Sequence, residues 1–284
     1  MNWLSLAQNL PLGRTSRCDC PECGEGTNTN AAILNHSTRG YSLFCHACGY
    51  NPFQDKGIQT LDELKRLKEL NEQAERYTDK NVRVPSDVTE NIPLAGRLWL
   101  YNAGISPTIW KEYNVGYSES LQRVILPVYG SDGELIWYQG RAVHEGQRPK
   151  YLNPTVPKDG RMFVSCNRTP ISGTTTVIVC EDILSAIRVG KAASCLNSDG
   201  NKYIGVSLLG TKLTTESINT LSNAKRIISW FDADAAGSKA RAELYKAVGI
   251  FTTVNSIRSE RDPKRYSDQD IRRYIEGALN GGSI

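Results

Sequence analysis

The spacing of apolar residues changes near Thr174, and from there it becomes regular. Short apolar runs of strand length alternate with segments in which apolar residues recur at helical spacing. The strand-like runs are VIVC, IGVSLL, RIISWFD and FTTVNSI. The helical segments between and after them are DILSAIRVGKAA, TTESINTLSNA, AAGSKARAELYKAVG and SDQDIRRYIEGAL. This alternation predicts an α/β domain over residues 173–284, with a mostly parallel sheet flanked by helices.

The preceding region, residues 93–172, has a mixed α+β pattern. LWLYNAGISPTIWKEYNVGYS predicts two short helices, the second starting at Ser106 before Pro107. RVILPVYGSDGELIWYQGRAV predicts a hairpin that turns at Ser131-Asp132-Gly133. Pro127 would place the first of its strands at a sheet edge or at a bulge.

Residues 53–92 have the pattern of a charged linker. Thr60 and Glu63 form a capping box, which predicts a helix over residues 60–76. The stretch RYTDKNVRVPSDVTENIP that follows predicts a loop. The apolar stripe of the helix is narrow and consists of Leu61, Leu64, Leu67, Leu70 and Ala74.

Composition and charge are those of an ordinary soluble protein. The chain has 284 residues and a net charge of +4, with neither a signal-peptide pattern at its start nor an apolar run of about 18 residues. We therefore expect no membrane association. The positive charge is concentrated between residues 147 and 168, where only Asp159 opposes Arg148, Lys150, Lys158, Arg161 and Arg168.

Five of the eight cysteines lie within residues 18–48, and four of them form two CxxC knuckles separated by 21 residues. Two matched knuckles predict one tetrahedral, structural Zn²⁺, which disulfides or a redox CxxC would explain less well. Cys18 is a spare thiol that could compete as a ligand, while His36 and His46 are expected to be bystanders. The predicted zinc ligands are Cys20, Cys23, Cys45 and Cys48.

Two carboxylates, Asp232 and Asp234, end the apolar run RIISWF and precede a helix. Side chains at positions i and i+2 of an extended segment point the same way. Like charges placed side by side need a cation between them, and oxygen ligands suit Mg²⁺ or Mn²⁺. The alternative is a turn in which Asp234 caps the following helix.

Further acids follow other strands of the same predicted sheet. Glu181 ends the first strand, and strand ends of a parallel sheet share one edge, so Glu181 can face the aspartate pair. Asp182 could join this site, but the favoured interpretation is that it caps the next helix. Asp262 follows the last strand and could complete the cluster, although Pro263 beside it also permits a plain turn.

A glycine and a lysine follow the second predicted strand, in Leu209-Gly210-Thr211-Lys212. A junction of this kind before a helix can hold phosphate, although the motif is short. The chain contains no Walker A sequence, so we expect no P-loop ATPase or helicase motor in it.

These motifs together resemble those of the DNA primases of bacteria and bacteriophages, in which a zinc ribbon precedes a TOPRIM catalytic core. SLLGTKLT, WFDADAAGSKA, VIVCED and RDPKRY resemble the TOPRIM motifs. NAGISPTIWKEYNVGYS, RVILPVYGSDGELIWYQGRA and PKYLNP resemble the amino-terminal subdomain of the primase core. The resemblance covers most of residues 18–270. It implies a zinc ribbon over residues 1–52, a linker over 53–92, a core subdomain over 93–172 and a TOPRIM domain over 173–284.

The resemblance also implies roles for individual residues. Glu181, Asp232 and Asp234 would be the catalytic acids and magnesium ligands, joined by Asp262 as a further ligand. The family often places an aspartate four residues after the glutamate, where this chain has Ser185. Either Asp182 substitutes for it, or the site has fewer acids and the number of metals changes. Template or nucleotide phosphates would be bound by Arg123, Arg141, Lys150 and Lys212.

The function implied is synthesis of short RNA primers on single-stranded DNA from ribonucleoside triphosphates, by metal-dependent nucleotidyl transfer during DNA replication. The expected partner is a separate replicative helicase, within a primosome, and the expected location is the cytoplasm of a bacterium or phage-infected host. Two alternatives stay open. One is a TOPRIM-type nuclease that uses the same acids, and the other is a catalytically inactive protein that binds single-stranded DNA.

Overall fold

The computed structural model describes residues 2–23, 30–37, 39–57, 82–156, 158, 160–166, 169–198 and 200–280. The predicted linker helix over residues 60–76 lies outside these ranges, as do Asp159 and Arg168 of the basic segment. Within the described ranges, no helix has the length and apolar character needed to cross a membrane.

The amino-terminal region is a small antiparallel sheet with one short helix. The sheet has the strand order β1-β2-β3-β4. Its core contains Leu34 and Leu43 together with the buried thiols of Cys20 and Cys45. The elements are α1 (Trp3–Gln8), β1 (Thr15–Cys18), β2 (Ala32–His36), β3 (Gly40–Cys45) and β4 (Phe53–Asp55).

The next region contains the predicted helix pair and hairpin. Ser106 caps the second helix by accepting a hydrogen bond from the N–H of Ile109 at 3.4 Å, as the Ser-Pro sequence predicts. The strands form a sheet of order β5-β6-β7-β8-β9. The elements are β5 (Val88–Thr89), α2 (Leu94–Asn102), α3 (Pro107–Glu112), β6 (Gly116–Ser118), β7 (Arg123–Tyr129), β8 (Leu135–Ala142) and β9 (Tyr151–Leu152).

Pro127 does not lie in an edge strand. It lies in β7, which has β6 on one side and β8 on the other, so the edge placement predicted from the sequence is wrong. The physical reason is the length of the neighbour: β6 has 3 residues and β7 has 7. Part of β7 therefore has no partner strand on that side, and a residue without a backbone N–H is tolerated there.

The carboxyl-terminal region has the predicted strand–helix alternation. Its sheet has the order β10-β12-β11-β13-β14, in which β10 is antiparallel and the other pairings are parallel. The short strand β10 was not predicted from the sequence. The elements are β10 (Phe163–Val164), β11 (Thr175–Cys180), α4 (Ile183–Ala193), β12 (Lys202–Ser207), α5 (Thr215–Leu221), β13 (Arg226–Ser229), α6 (Ala235–Val248), β14 (Thr253–Ser256) and α7 (Asp268–Leu279).

The register of this sheet aligns the carboxyl ends of its parallel strands. Cys180 of β11 is paired with Ser207 of β12, and Val179 of β11 is paired with Ser229 of β13, which is paired with Ser256 of β14. All six residues of β11 are buried, as expected for a strand covered by helices on both faces. The segments that follow these strands therefore meet at one edge of the sheet.

By compactness the chain forms two units. Unit 1 comprises Met1–Val82, Leu121–Arg123 and Gln139–Pro157, and unit 2 comprises Arg83–Ser120, Val124–Tyr138 and Lys158–Ile284. Unit 2 has its own apolar core, in which Val177, Ile204 and Phe231 are buried among side chains from the helices. The domain boundaries predicted from the sequence stay predictions.

Candidate functional site

The four cysteines of the two knuckles converge within unit 1. Their sulfur atoms all lie within 4.8 Å of one another. Cys20 Sγ is 3.6 Å from Cys48 Sγ, and Cys23 Sγ is 3.7 Å from Cys45 Sγ. Four sulfurs at 2.3 Å from one tetrahedral zinc ion would be about 3.8 Å apart, so the cluster has the size of a zinc site.

The surroundings affect the thiols of this cluster differently, since burial raises the pKa of Cys20 and raises that of Cys23 to about 12. Burial raises the pKa of Cys45, but hydrogen bonds from the backbone of Cys48 and Ala47 lower it, and the net pKa is about 7.

Cys18 and the histidines do not join the cluster. His36 Nε2 is 2.7 Å from Lys56 Nζ, and the His46 ring packs edge-on against Phe44.

The acids predicted to hold magnesium are collected at the carboxyl edge of the sheet in unit 2. Glu181 follows β11 directly, and its backbone carbonyl accepts hydrogen bonds from Ser207 Oγ at 2.9 Å and from the N–H of Gly210 at 3.2 Å. The loop after β12 thus fixes the position of Glu181. Asp232 and Asp234 follow the buried pair Trp230-Phe231, which extends β13 into the core.

The Glu181 carboxylate is the orphaned group of this site. Its Oε2 atom is buried and has no hydrogen-bond partner among the described residues. Burial raises the pKa of Glu181 to about 6, with further contributions from Asp232 and Asp234. A buried carboxylate oxygen without a donor, facing other carboxylates, is favourable only if a cation or a proton joins it.

Asp232 and Asp234 differ in their surroundings. Burial, followed by the nearby Asp262 carboxylate, raises the pKa of Asp232, while Lys264 lowers it. Asp234 caps α6, because its Oδ1 accepts a hydrogen bond from the N–H of Gly237 at 2.7 Å. The helix cap considered for Asp234 is therefore present. It uses one carboxylate oxygen and leaves Oδ2 for another ligand.

Gly237 makes this turn possible. A Cβ atom on Gly237 would lie 2.2 Å from the backbone oxygen of Asp232. Real Cβ atoms do not approach a carbonyl so closely, so the turn from Asp232 into α6 requires a residue without a side chain at this position. The glycine of the DADAAG sequence therefore positions both aspartates.

A lysine that sequence reasoning missed neutralises part of the acid cluster. Lys264 Nζ lies 2.8 Å from Asp182 Oδ2 and 2.7 Å from Asp262 Oδ2. Asp182 also caps α4, accepting hydrogen bonds from the N–H groups of Leu184 and Ser185, as the favoured reading predicts. The signal in the sequence was the basic residue two positions after Asp262 in RDPKRY, but only the fold shows its partner Asp182.

Ser185 stands where the family often has an aspartate, and it has a defined partner here. Its hydroxyl donates to Asp182 Oδ2 at 2.7 Å. With two backbone donors, the Ser185 hydroxyl and the Lys264 ammonium, Asp182 is fully occupied within the protein. Glu181, Asp232 and Asp234 thus have oxygens left over for a metal, as does Asp262, of which only Oδ2 contacts Lys264.

Magnesium fits this donor set. Among the described residues, the cysteines are the only group of three or more potential ligands whose atoms all lie within 4.8 Å, so the acids do not form a closed cage. Mg²⁺ usually keeps several waters and takes only one or two carboxylates directly. An open set of carboxylates that includes the unpaired Glu181 Oε2 atom fits this coordination preference.

Lys212 lies in the loop after β12, and a second lysine accompanies it. Lys158 Nζ donates to the backbone oxygen of Leu208 at 2.7 Å and to that of Lys212 at 3.4 Å. Burial and the nearby Lys212 charge lower the pKa of Lys158. Lys158 was recognised in the sequence only as part of a basic segment. In the structure it brings a second positive charge to the predicted phosphate loop.

The other predicted phosphate ligands lie together in unit 1. Arg141 and Lys150 flank the Tyr151 ring, at 5.0 and 5.8 Å from its centroid. Arg123 is 2 % exposed and donates from Nη1 to the backbone oxygens of Gly140 and Lys150. Burial, followed by Arg17 and Arg141, lowers the pKa of Arg123 to about 10.

Arg17 belongs to this basic cluster, although sequence reasoning missed it. Its Nη2 donates to the backbone oxygen of Asn153 at 3.2 Å, so strand β1 of the amino-terminal sheet contacts the loop after β9. The burial of Arg123 leaves little of its guanidinium for a phosphate. Arg141 and Lys150 are the more accessible members, and their role in phosphate binding stays a prediction.

Comparison with known proteins shows what this site is similar to. The profile of the Toprim-like family matches residues 178–267, which include Glu181, Asp232, Asp234 and Asp262. The DNA primase of Legionella pneumophila is 23% identical over 261 residues, covering 78% of this chain and 43% of the relative. The DNA primase of Geobacillus stearothermophilus is 29% identical over 152 residues, covering 51% of this chain and 24% of the relative. The chain thus spans less than half the length of these relatives.

Solved structures share the fold. The zinc-binding and RNA polymerase domains of the Aquifex aeolicus primase superpose with a TM-score of 0.52 at 17% identity, over 98% of this chain and 83% of that chain. The primase fragment of the bacteriophage T7 primase-helicase protein superposes with a TM-score of 0.51 at 14% identity, over 94% and 99% of the two chains. The predicted fold class and the resemblance to DNA primases are confirmed.

Proposed function

We propose that this chain is a DNA primase, which synthesises short RNA primers on single-stranded DNA by metal-dependent nucleotidyl transfer. The observation that carries the proposal is the orphaned Oε2 atom of Glu181, buried beside Asp232 and Asp234 at the carboxyl edge of a Toprim-like sheet. The relatives that match are named DNA primases, and one structure of similar fold, with a TM-score of 0.51, is a primase catalytic domain bound to single-stranded DNA.

Glu181, Asp232 and Asp234 are the proposed ligands of Mg²⁺ or Mn²⁺. A divalent ion held there would lower the pKa of a primer 3′-hydroxyl and stabilise the charge of the triphosphate and of the departing pyrophosphate. Asp262 is a further proposed ligand through its Oδ1, since Lys264 Nζ lies 2.7 Å from its Oδ2. Because Asp182 is fully occupied and Ser185 stands in the place of an aspartate, we propose a site with fewer metals than a full acid set would hold.

Other residues of the protein hold the acids in position and supply positive charge. Asp182 and Lys264 tie the start of α4 to the segment after β14, which keeps Glu181 and Asp262 at the same sheet edge. Lys212 and Lys158 supply positive charge for the triphosphate of an incoming nucleotide. The Glu181 carboxylate, with its raised pKa, must be deprotonated before it can bind a cation.

The zinc module and the basic cluster of unit 1 are proposed to handle the template. Arg141 and Lys150 hold template phosphates, which makes binding salt-dependent and largely independent of sequence. The module built on Cys20, Cys23, Cys45 and Cys48 contributes the choice of start site. A separate replicative helicase, in the cytoplasm of a bacterium or phage-infected host, is the proposed partner.

Product analysis tests this function. The protein is incubated with a single-stranded DNA template, ribonucleoside triphosphates and Mg²⁺ or Mn²⁺, with the label on the nucleotides in one reaction and on the template in another. The proposal predicts labelled oligoribonucleotides that require the template, and an intact template. Cut template without oligoribonucleotides would instead show a nuclease, and binding without either product would show an inactive DNA-binding protein.

A further inference from the structure

Two adjoining cavities lie beside β14 and α6 in unit 2. The first has a volume of about 560 Å³ and is lined by Arg241, Tyr245, Lys246 and Arg258. The second has a volume of about 850 Å³, and both cavities include Ala233 and Arg258 in their walls. They therefore form one continuous groove, which we call the arginine groove. Ala233, which lies between Asp232 and Asp234 in the sequence, lines both cavities, whereas neither aspartate lines either one.

The first part of the groove has positive charge without a counter-charge. No acidic residue lines it. None of the ion pairs between described residues involves Arg241, Lys246 or Arg258. Arg241 Nε is buried without a hydrogen-bond partner among the described residues. Burial and the charge of Arg258 both lower the pKa of Arg241, so the fold holds two guanidinium groups close enough to repel each other.

The second part of the groove is also basic. Arg258 is joined there by Arg261, Arg265 and Arg273, against Glu260 and Asp270. Asp270 lies 3.7 Å from Arg273, and Arg265 donates to the backbone oxygen of Asn102 at 2.9 Å. After this ion pair is discounted, the arginines still outnumber the one remaining acid, so the excess positive charge extends along the whole groove.

Tyr245 adds an aromatic surface to the first cavity. Its side chain lines the cavity and the residue is 61% exposed, although it lies on α6 beside basic residues rather than in the core. Exposed aromatic rings in a basic groove are typical of proteins that bind single strands, because any base can stack on them. A free triphosphate would occupy only one end of the groove, whereas the arginines line both cavities.

We propose that the arginine groove binds the phosphate backbone of single-stranded nucleic acid, with Tyr245 stacking on a base. The guanidinium groups of Arg241 and Arg258 contact phosphates of this strand. The inference rests on the proposed function only in taking the single-stranded template as the ligand. All residues that line the groove belong to unit 2, and none of them is a phosphate ligand predicted from the sequence.

A salt titration of DNA binding tests the groove directly. The probe is a fluorescein-labelled single-stranded 20-mer of deoxythymidine, measured by anisotropy between about 50 and 300 mM KCl without nucleotides or added divalent ions. Removing one positive charge that neutralises a phosphate of a single strand reduces the slope of log K against log salt by about 0.7. Arg258→Gln should reduce it by about 0.7, and Arg241→Gln/Arg258→Gln by about 1.4, with affinity falling about tenfold in the double variant.

Lys239→Gln is the matched control. Lys239 lies on the same helix, but its side chain is 79% exposed, it interacts with Glu243 at 3.8 Å, and it does not line the groove. We expect wild-type affinity and slope for this variant. Arg258 is exposed, so Arg258→Gln should fold normally even if loss of the half-buried Arg241 perturbs α6. The proposal would be overturned if Arg258→Gln and the double variant had the same affinity and salt slope as Lys239→Gln.

The role of Tyr245 and the nature of the ligand have their own readouts. Tyr245→Ala should weaken binding of the 20-mer several-fold, whereas Tyr245→Phe, which keeps the ring, should bind as the wild type does. Weakened binding of labelled ATP in Arg258→Gln, with unchanged binding of the 20-mer, would assign the groove to free triphosphate and refute the strand. Because these measurements involve no synthesis, absence of primer formation would refute the proposed function without changing their outcome.

Discussion

Lys264 Nζ lies 2.8 Å from Asp182 Oδ2, although the two residues are 82 positions apart in the chain. Both side chains are mostly buried, with 15% and 19% of their surfaces exposed. Burial would lower the pKa of Lys264, but the Asp182 and Asp262 carboxylates raise it above its usual value. The ammonium group is therefore a permanent cation within the acid cluster, and it joins the start of α4 to the segment after β14.

Replacing Lys264 tests this ion pair. Lys264→Met leaves the Asp182 carboxylate buried without its counter-charge, so the free energy of unfolding should fall by about 3 kcal/mol. Urea denaturation followed by circular dichroism measures it. Lys239→Met removes an exposed lysine from α6 and should cost less than about 0.5 kcal/mol. Equal stability of the two variants would show that the buried pair contributes nothing.

Glu181 should reduce stability in the absence of metal. Its pKa is raised to about 6 by burial and by Asp232 and Asp234, so its protonated form favours folding below its ordinary pKa of 4.5, and this contribution is lost as the pH rises through 6. Glu181→Gln is neutral throughout. Without divalent ions its free energy of unfolding at pH 8 should exceed that of the wild type by about 1 kcal/mol. This is half of the free energy that corresponds to the pKa shift, because the carboxylate is partly exposed to solvent.

The pH dependence provides the control for this prediction. The stability difference between Glu181→Gln and the wild type should decrease steadily from pH 8 to pH 5, because the wild-type carboxylate becomes protonated. Added Mg²⁺ should stabilise the wild type more than the variant. A difference that stays constant across this range would mean that the carboxylate is not desolvated in the folded protein.

Zinc content should depend on the knuckle cysteines and not on Cys18. Cys45→Ser removes one of four sulfurs that all lie within 4.8 Å of one another, so the purified variant should contain almost no zinc and lose the structure of the amino-terminal sheet. Cys18→Ser changes a thiol outside this cluster and should keep one zinc ion per chain. Elemental analysis measures both, and loss of zinc in Cys18→Ser would add that residue to the ligands.

A methyl group at Gly237 should displace Asp232. Because the added Cβ would lie 2.2 Å from the Asp232 backbone oxygen, the turn must open, at a cost of about 2 kcal/mol in the free energy of unfolding. Primer synthesis should fall more than tenfold, since the carboxylates move with the turn. Gly173→Ala, where no atom lies within 4 Å of the added Cβ, should leave both quantities unchanged. Wild-type synthesis by Gly237→Ala would show that the turn does not position the acids.

Local patterns in the sequence predicted the features that depend on neighbouring residues. The cysteine spacing predicted the convergence of four sulfurs because each knuckle supplies two of them from one turn. The strand–helix alternation predicted that Glu181 and Asp232 share a sheet edge, because parallel strands align their carboxyl ends. The Ser-Pro start of α3 and the hairpin of β7 and β8 were likewise predictable from short segments.

Features that depend on residues far apart in the chain were not predicted from the sequence. The ion pair of Lys264 with Asp182 joins segments that have no common periodicity, and the hydrogen bond of Arg17 with Asn153 spans 136 residues. Pro127 was misplaced because the tolerance of a strand for proline depends on the length of its neighbour. The arginine groove arises in the same way, from basic residues on α6, on α7 and in the segment between β14 and α7.

The most direct test of the proposed catalytic site compares the wild type with Asp232→Asn in template-dependent incorporation of labelled ribonucleotides, at equal zinc content. Asparagine keeps the size of the side chain and removes the charge needed to hold a divalent ion. We expect oligoribonucleotides from the wild type with Mg²⁺ or Mn²⁺, and a loss of at least about a hundredfold in the folded variant, about 2.7 kcal/mol of transition-state stabilisation. Undiminished synthesis by Asp232→Asn would contradict the assignment of these acids to catalysis.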